Sequence, residues 1–383
     1  MQDDQSERVK PVLLYLASED WAFVSHRLPM ARAARDSGFD VHIATNVTAH
    51  ADTIRKEGFT LHPIPFRRGA FSPLSALETI KAIRGVQQRI SPEITHHSGL
   101  QCCVLGSIAA FGARTRQINA LTGLGYAFTS RSLGARASKL VITPLLKLLL
   151  NRNTGVTLVQ NPDDRSALEA LGISPRSIAL IPGSGVDTDQ LTSIPEQDGP
   201  VTVGFAGRLL TDKGIRALVA AHEILQTRGL NTRLLIAGEP DSANPASVSL
   251  QEAQQWNTRP GITWLGHVDD ITSLWRDSHI AALPSHREGL PKSLLEAAAC
   301  GRPLIATDAP GCREIAIPGK TGLLVPIEDP QALADAIGEL AMSRELRMRY
   351  GAAARQLVVE KMSAQAIGAA IVALYEDQLQ RPR

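Results

Sequence analysis

The residues best placed to do chemistry are two carboxylates eight positions apart, in the run Glu288-Gly-Leu-Pro-Lys-Ser-Leu-Leu-Glu296. An apolar, strand-like stretch, Ile280-Ala-Ala-Leu-Pro284, comes before them. A helix-forming stretch, Ser293 to Cys300, carries the second one, and Gly301-Arg-Pro303 ends it. This pattern predicts Glu288 on the loop at the carboxyl end of a strand and Glu296 on the first turns of the next helix. Ligands of open α/β sheets bind at that edge. The helix start between the two offers unpaired amides and a positive dipole end, which suits a phosphate. At 1.5 Å rise per residue the carboxylates stand roughly 10 Å apart. They can grip two ends of a long ligand but cannot share one proton. The competing reading makes Glu296 an exposed helix-face residue and Glu288 a capping acid.

Two further groups bear on that choice. Gly204-Phe-Ala-Gly207-Arg208 followed by Lys213-Gly214 reads as a strand end, a glycine turn and two cations beside a helix start. Such a pair can hold a diphosphate, the Arg bidentately and the Lys as a point charge. Ile236-Ala-Gly238-Glu-Pro240 is another glycine turn after a strand, where a base or ribose can approach the backbone. Each motif alone also fits an ordinary strand–turn–helix junction. Arg208, Lys213, Gly238 and both glutamates on carboxyl-end loops of one region are harder to explain that way.

The elements that must position these residues are legible as a rhythm. In the first half, strand-like runs fall at Val12–Ala17, Val41–Thr45, Thr60–Ile64, Ile118–Leu121, Thr157–Gln160 and Ile178–Ile181, with helices fitting at Arg27–Ser37 and Ala76–Arg89. In the second they fall at Thr202–Ala206, Thr232–Ala237, Ile262–Leu265, Ile280–Leu283, Pro303–Thr307 and Gly322–Val325. Helices fit there at Gly214–Arg228, Leu290–Ala299, Pro330–Met342 and Glu345–Val359. Alternation of this kind is the mark of parallel sheets with crossover helices. A Gly/Ser/Thr/Pro/Asp-rich break runs from Gly183 to Gly199. The expected organisation is an α/β chain with one domain over residues 1–185, a second over 186–362, and a final segment, 363–383, whose helix Ala364–Leu379 packs back on the first. Two sheets of similar size joined at the break imply a ligand cleft between them.

Bulk properties exclude some classes. At 383 residues the chain is long enough for two to three domains, and 44% hydrophobic residues suffice for sizeable cores. A net charge of +2 gives no field that selects nucleic acid. Cys102, Cys103, Cys300 and Cys312 show no metal-ligand spacing, which suits a reduced cytosolic setting better than a disulfide framework. The start, Met1-Gln-Asp-Asp-Gln-Ser-Glu, is unlike a signal peptide. The longest apolar candidate, Leu140 to Leu150, is interrupted by Thr143, Pro144 and Lys147 and falls short of the ~18 residues of a membrane span. The segment 131–152 nevertheless interleaves Arg131, Arg136, Lys139, Lys147 and Arg152 with leucines, and Arg67-Arg68 stand near Phe71. Such a segment suits an anionic membrane surface, and a buried helix with snorkelling cations fits the same pattern.

From residue 200 to about 345 the chain resembles the nucleotide-sugar domain of retaining glycosyltransferases of the GT-B fold, family 4. The matching pieces are Gly207-Arg-x4-Lys-Gly214, Gly238-Glu239, Leu283-Pro-Ser285 with Glu288-Gly-Leu-Pro, Glu296, Cys300-Gly-Arg-Pro-Leu-Ile and Thr321-Gly-Leu-Leu-Val-Pro326. Asp20-Trp-Ala-Phe-Val-Ser-His-Arg-Leu-Pro29, His96-His-Ser-Gly-Leu-Gln101, Asn119-Ala-Leu-Thr-Gly-Leu-Gly-Tyr126 and Gln160-Asn-Pro-Asp-Asp164 resemble the branch that assembles capsule, O-antigen and exopolysaccharide. That branch often has Lys where Gln101 stands.

The resemblance implies two Rossmann-like domains facing a central cleft. It also implies a metal-independent, retaining transfer of a hexose or N-acetylhexosamine from a nucleotide sugar, UDP-linked, to a polyprenyl-diphosphate-linked saccharide. The expected location is cytoplasmic, peripheral on the inner face of the plasma membrane. Glu296 would hold the ribose hydroxyls and Glu288 the sugar hydroxyls. Arg208 and Lys213 would neutralise the diphosphate leaving group, and Gly207, Gly238, Gly289, Leu290 and Pro291 would line the donor site. His96 and His97 are expected to follow a strand and face the cleft, one of them, assigned as His97, near the reaction centre. His26 and Arg27, at the first strand–helix junction, are assigned to the acceptor together with His96, Gly123 and Gly125. A satisfied structural histidine and a surface turn are the competing readings for these two pairs. The alternatives for the whole chain are a same-fold synthase with a soluble sugar acceptor and a non-catalytic nucleotide-sugar-binding partner.

Overall fold

A computed structural model describes residues 10–66, 72–121, 143–152, 155–242 and 244–382. The chain divides into two compact units, one of residues up to Ser184 together with Ile367 onward, the other Gly185–Ala366.

The first unit is built on strands β1 (Val12–Glu19), β2 (Asp40–Asn46), β3 (Thr60–Pro63), β4 (Ile94–Ser98), β5 (Arg116–Ala120), β6 (Gly155–Val159) and β7 (Ile178–Leu180). Helices α1 (Asp20–His26), α2 (Leu28–Asp36), α3 (Ala51–Lys56), α4 (Pro73–Ile90), α5 (Leu100–Ala109) and α6 (Pro162–Ala170) connect them. Every strand pair is parallel, in the order 3-2-1-4-5-6-7. A parallel sheet covered on both faces demands near-continuous apolar runs. Leu13-Leu-Tyr-Leu16 meets that demand, with no more than 1% of each residue exposed. Strand β4, Ile94-Thr-His-His-Ser98, does not meet it, and it is a seventh strand beyond the six that patterning marks in this half.

The polar side chains of β4 are tolerated because partners come to them. Their neighbours on either face are set by the alternation of a strand. His96 stacks on Tyr15 and bonds through Nδ1 to the Tyr375 hydroxyl at 2.6 Å. Tyr375 lies on the last helix, Ala364–Gln380, and its hydroxyl also meets that of Tyr15 at 2.6 Å. Ile367, Ile371 and Tyr375 of this helix belong to the same core cluster as Leu13, Phe23, Phe39 and Ile118. Beyond it, Arg116 donates to the carbonyls of Arg381 and Pro382.

The second unit has strands β8 (Val201–Ala206), β9 (Thr232–Ala237), β10 (Ile262–Gly266), β11 (Ile280–Leu283), β12 (Leu304–Thr307) and β13 (Gly322–Val325), all parallel in the order 10-9-8-11-12-13. Its helices are α7 (Ile215–Thr227), α8 (Leu250–Trp256), α9 (Ile271–Arg276), α10 (Lys292–Ala299), α11 (Pro330–Met342) and α12 (Arg344–Lys361), and Ala364–Gln380 is α13. The run expected as a loose break is packed on this unit. Val186 pairs with Ser363, the Ile194 amide donates to the Cys300 carbonyl, and Glu196 forms a buried ion pair with Arg347 at 2.7 Å.

Both sheets reverse direction once, between β1 and β4 and between β8 and β11. The carboxyl ends at such a switch point splay apart and leave a crevice for ligands. Of the basic, apolar segment 131–152, Arg131, Arg136 and Lys139 lie outside the described residues, as do Arg67, Arg68 and Phe71. Residues 143–150 are helical, with Leu146 and Leu150 in a core cluster and Leu148 67% exposed. No described helix is long and apolar enough to cross a membrane.

The Tyr375 hydroxyl ties α13 to β1 and β4, so its removal strands two buried polar atoms. Tyr375→Phe is expected to cost about 1–3 kcal/mol. Urea unfolding followed by circular dichroism would show it as a lower midpoint at unchanged slope, and a wild-type midpoint would show that the bridge contributes nothing.

Candidate functional site

The carboxyl edge of the second sheet is held together by glycines that meet backbone. At Gly238, which turns the chain after β9 with φ of 136°, an added Cβ would stand 1.8 Å from the Gly207 carbonyl oxygen. Gly207, after β8, returns the contact by donating its amide to the Ala237 carbonyl at 3.0 Å. At Gly214, with φ of 69°, an added Cβ would lie 2.0 Å from the Pro284 carbonyl oxygen. This seats the start of α7 against the loop that leaves β11. Three turns are thus pressed together around the β8/β11 switch point.

The side chains on these turns form two ion pairs. Arg208, about half exposed, bonds through Nη1 to Asp241 at 3.1 Å. Lys213 Nζ lies 2.5 Å from Glu288 Oε1, with 17% and 14% of the two side chains exposed. The fully buried Ser285 donates its hydroxyl to the same oxygen at 2.6 Å, and Thr307 donates to the Ser285 carbonyl. The Glu288 amide donates to the Pro310 carbonyl at 3.0 Å. A Cβ at Gly311 would come within 2.5 Å of the Glu288 carbonyl oxygen, so the loop after β12 presses on this one from the other side. Glu288 therefore sits on a loop fixed at both flanks, which suits a group that must orient a ligand.

Helix α10 starts at Lys292, with Pro291 as its cap and Leu290 buried before it. Glu296, one turn in, has 14% of its side chain exposed and lies 3.3 Å from Lys292 Nζ. Burial pushes its carboxyl above the usual carboxylate range, and the ammonium of Lys292 opposes that shift. Expected donor residues Arg208, Lys213, Gly207, Gly238, Glu288, Gly289, Leu290, Pro291 and Glu296 are all on turns and helix starts at this edge. Lys213 and Glu288 are expected to hold different parts of a ligand, and here they bond to each other.

In the first unit the placement departs further from expectation. His96 and His97 do not follow a strand: they are its third and fourth residues, and both are fully buried. His97 bonds through Nδ1 to Asn119 Oδ1 at 2.8 Å, and its Nε2 lies where a Cβ on Gly106 of α5 would come within 2.6 Å. Burial pushes the His97 pKa down to about 4 and that of His96 well below 6.5. Neither ring reaches solvent, so both act in the core of the unit. His26 ends α1, and Arg27 connects α1 to α2 with only 3% of its surface exposed. Arg27 is thus a buried cation, not a surface turn residue. Gly123 and Gly125 lie outside the described residues.

Several contributors escape sequence reasoning. Asp241, thirty-three positions from Arg208, carries no signal of its own. Ser285 stands in a recognised piece, but its bond to Glu288 depends on the loop's closure. Lys292 could have been found, since i to i+4 pairs of opposite charge face each other on a helix. Among the described residues no group of three His, Cys, Asp or Glu could hold a metal.

Cations paired with carboxylates at the switch point of one parallel-sheet unit, in a chain with a second such unit, suit a class of sugar-transferring enzymes. The family model described as glycosyl transferases group 1 matches residues 200–343, and that described as glycosyl transferase 4-like matches residues 12–161. The two span roughly three quarters of the sequence, and the chain belongs to this glycosyltransferase family. It is 25% identical over 92% of its length and 94% of the relative to the capsular polysaccharide biosynthesis glycosyltransferase CapM of Staphylococcus aureus. It is 23% identical, over 86% of this chain and 89% of the other, to the N,N'-diacetylbacillosaminyl-diphospho-undecaprenol alpha-1,3-N-acetylgalactosaminyltransferase of Campylobacter jejuni. Among solved structures, Anabaena Alr3699/HepE in complex with UDP and glucose superposes with a TM-score of 0.77 at 17% identity, covering 95% of this chain and 99% of that one. The fold is GT-B.

The buried histidines set an acid limit on stability. Their folded pKa values lie below the 6.5 of an exposed histidine, so the unfolded chain takes up protons first as pH falls. Stability is therefore fully present above pH 6.5 and is lost below it, down to about pH 4 for His97. Full loss from one such ring is about 3 kcal/mol. Urea midpoints measured between pH 7 and 4 should fall less steeply in His97→Gln than in the wild type. Equal slopes would mean that His97 titrates alike in the folded and unfolded chain.

Proposed function

We propose that this glycosyltransferase moves a hexose or N-acetylhexosamine from a UDP-linked sugar to a lipid-diphosphate-linked saccharide in surface polysaccharide synthesis, with retention at the anomeric carbon. The observation that carries the reading is the meeting of Arg208, Lys213 and Glu288 on turns at one switch point. The capsular and undecaprenyl-diphosphate-linked specificities in the relatives' names support the acceptor class, and the UDP and glucose of the Anabaena complex support the donor class.

In this reading Glu296 takes the ribose hydroxyls, and its half-buried position beside Lys292 fixes where the ribose sits. The diphosphate displaces the carboxylates that now neutralise Arg208 and Lys213. As the bond from the anomeric carbon to the diphosphate oxygen lengthens, negative charge builds on that oxygen. The two cations and the amides at the start of α10 stabilise it, a term worth most where water is excluded. Lys213, drawn to phosphate, releases Glu288 Oε1 to accept hydroxyls of the sugar. The two cations and the helix start do the work that a metal would otherwise do, so the reading needs no metal. Neither glutamate needs to be a nucleophile.

Turnover of UDP-hexose, followed by UDP release, tests the assignment. Arg208→Ala should lower turnover by about 10²–10³, the usual effect of removing one charge-stabilising donor. Glu288→Ala should do likewise. Wild-type turnover in both variants, with the fold intact by circular dichroism, would sink the reading. The enzyme is placed on the inner membrane face in this reading, with Leu148 and Lys147 on one exposed side of the helical residues 143–150. Sedimentation with anionic vesicles should weaken as salt rises and in Lys147→Ala, because surface attraction is screened within a Debye length. Salt-independent sedimentation would remove the electrostatic part of that placement.

A further inference from the structure

The two ion pairs at the carboxyl edge of the second sheet are built differently. Glu288 holds Lys213 and has a further part in the proposed function, the hydroxyls of the sugar. Asp241 holds Arg208 and has no such part. Its contact is a single one: Arg208 Nη1 donates to Oδ2 at 3.1 Å, and among the described residues the guanidinium has no other partner. Two other pairs of this unit hold a guanidinium with both carboxylate oxygens. Arg216 gives Nε and Nη2 to Glu252 at 2.7 and 2.8 Å, and Arg347 gives the same two atoms to Glu196 at 2.7 and 3.0 Å. A fork held at both tines is oriented as well as neutralised. Arg208, held at one nitrogen and 47% exposed, is neutralised without its plane being fixed.

Asp241, by contrast, is fixed by its own loop. Its side chain is 15% exposed. Its amide donates to Ser247 Oγ at 2.8 Å, its carbonyl accepts from the Asn244 amide at 2.8 Å, and the Asn244 side chain accepts from the Ala246 amide at 3.0 Å. The loop is also stitched to the turn that carries Arg208. The Leu209 amide donates to the Glu239 carbonyl at 3.1 Å, the Thr211 amide to the Ala246 carbonyl at 2.8 Å and the Val248 amide to the Leu209 carbonyl at 2.8 Å. None of these bonds uses the Arg208 side chain. When a phosphate takes that guanidinium, the carboxylate therefore stays where it is, a negative charge beside the ligand's own.

Repulsion between the two grows with the charge that the ligand carries. In a nucleotide sugar both phosphates are bridged on two sides, and each keeps a single ionised oxygen. Transfer of the sugar leaves a terminal phosphate whose second ionisation lies at about pH 6, so at neutral pH the product is the more negative ligand. We infer that Asp241 is a specificity-determining residue: it weakens the hold on the nucleoside diphosphate product more than the hold on the nucleotide-sugar donor, and so favours product release. The identity of donor and product rests on the proposed function.

Calorimetric titration of the full chain with UDP and with UDP-glucose tests this, in the wild type and in Asp241→Asn, which removes the charge and keeps the shape. UDP should bind the variant about threefold or more tightly than the wild type, the scale of a half-exposed ion pair. UDP-glucose should tighten by a smaller factor. The gain for UDP should shrink as salt rises, because charges at the surface are screened. Equal factors for the two ligands overturn the inference, and so does an unchanged UDP affinity, which makes the pair a purely structural one. A residue that positions Arg208 gives the opposite sign, weaker binding of both ligands in the variant, and that too overturns it. Should Asp241→Asn fail to fold, Asp241→Ser reads the same two affinities. A wild type that binds neither ligand removes the donor assignment of the proposed function, and this inference with it. UDP binding that weakens in Arg208→Ala but does not move in Asp241→Asn leaves that assignment standing and removes the inference alone.

Discussion

The carboxyl edge of the second sheet depends on one contact that admits only hydrogen. The Cα of Gly238 faces the Gly207 carbonyl so closely that any Cβ would lie 1.8 Å from the oxygen. Such a meeting brings the turns after β8 and β9 into one layer, and Trp264 reinforces it by donating its indole N–H to the Gly238 carbonyl at 2.8 Å. The same device repeats at Gly214 against Pro284 and at Gly311 against Glu288. Where two backbones touch, side chains project outward from a shared floor. That is how Arg208, Lys213 and Glu288, far apart in sequence, come to one edge.

The ion pairs on that floor have a consequence for binding. Each of the two cations is held by a carboxylate, Asp241 for Arg208 and Glu288 for Lys213. A partly buried pair gains little net stability, since desolvation offsets most of the attraction. Exchanging one anion for another at these cations therefore costs little. Asp241 and Glu288 are not equivalent in this exchange. Arg208 is half exposed and its pair is open to water, whereas Glu288 is also gripped by the buried Ser285. The Ser285 hydroxyl is a second anchor that holds Glu288 independently of Lys213.

How much of this was legible depends on what each residue had to satisfy. Strands such as Leu13–Leu16 and Ile280–Leu283 announce themselves because both faces are buried and the pattern is continuous. Strand β4 does not, because its two histidines are paid for by Tyr375 and Asn119, which no local pattern predicts. Placing the histidines after a strand followed from reading polarity as exposure, and the correction comes from partners 22 and 279 residues away. The loops after β8, β9 and β11 were legible for the opposite reason. Glycine turns with Arg, Lys and Glu at strand ends carry their chemistry locally. The ion pairs among them are set by loop closure and were not.

The two units present the same topology with opposite electrostatics. At the β8/β11 switch point cations are neutralised by carboxylates within the unit, while at the β1/β4 switch point the partners of Arg27 among the described residues are a hydroxyl, a carbonyl and a sulfur. A neutralised pair exchanges partners readily and suits a ligand that must come and go with each turnover, changing charge as it leaves. A buried guanidinium whose partners among the described residues are neutral is stabilised by dipoles alone. The two units therefore share a strand order but treat the cation at the switch point differently, by pairing with a carboxylate in one and by burial against neutral dipoles in the other.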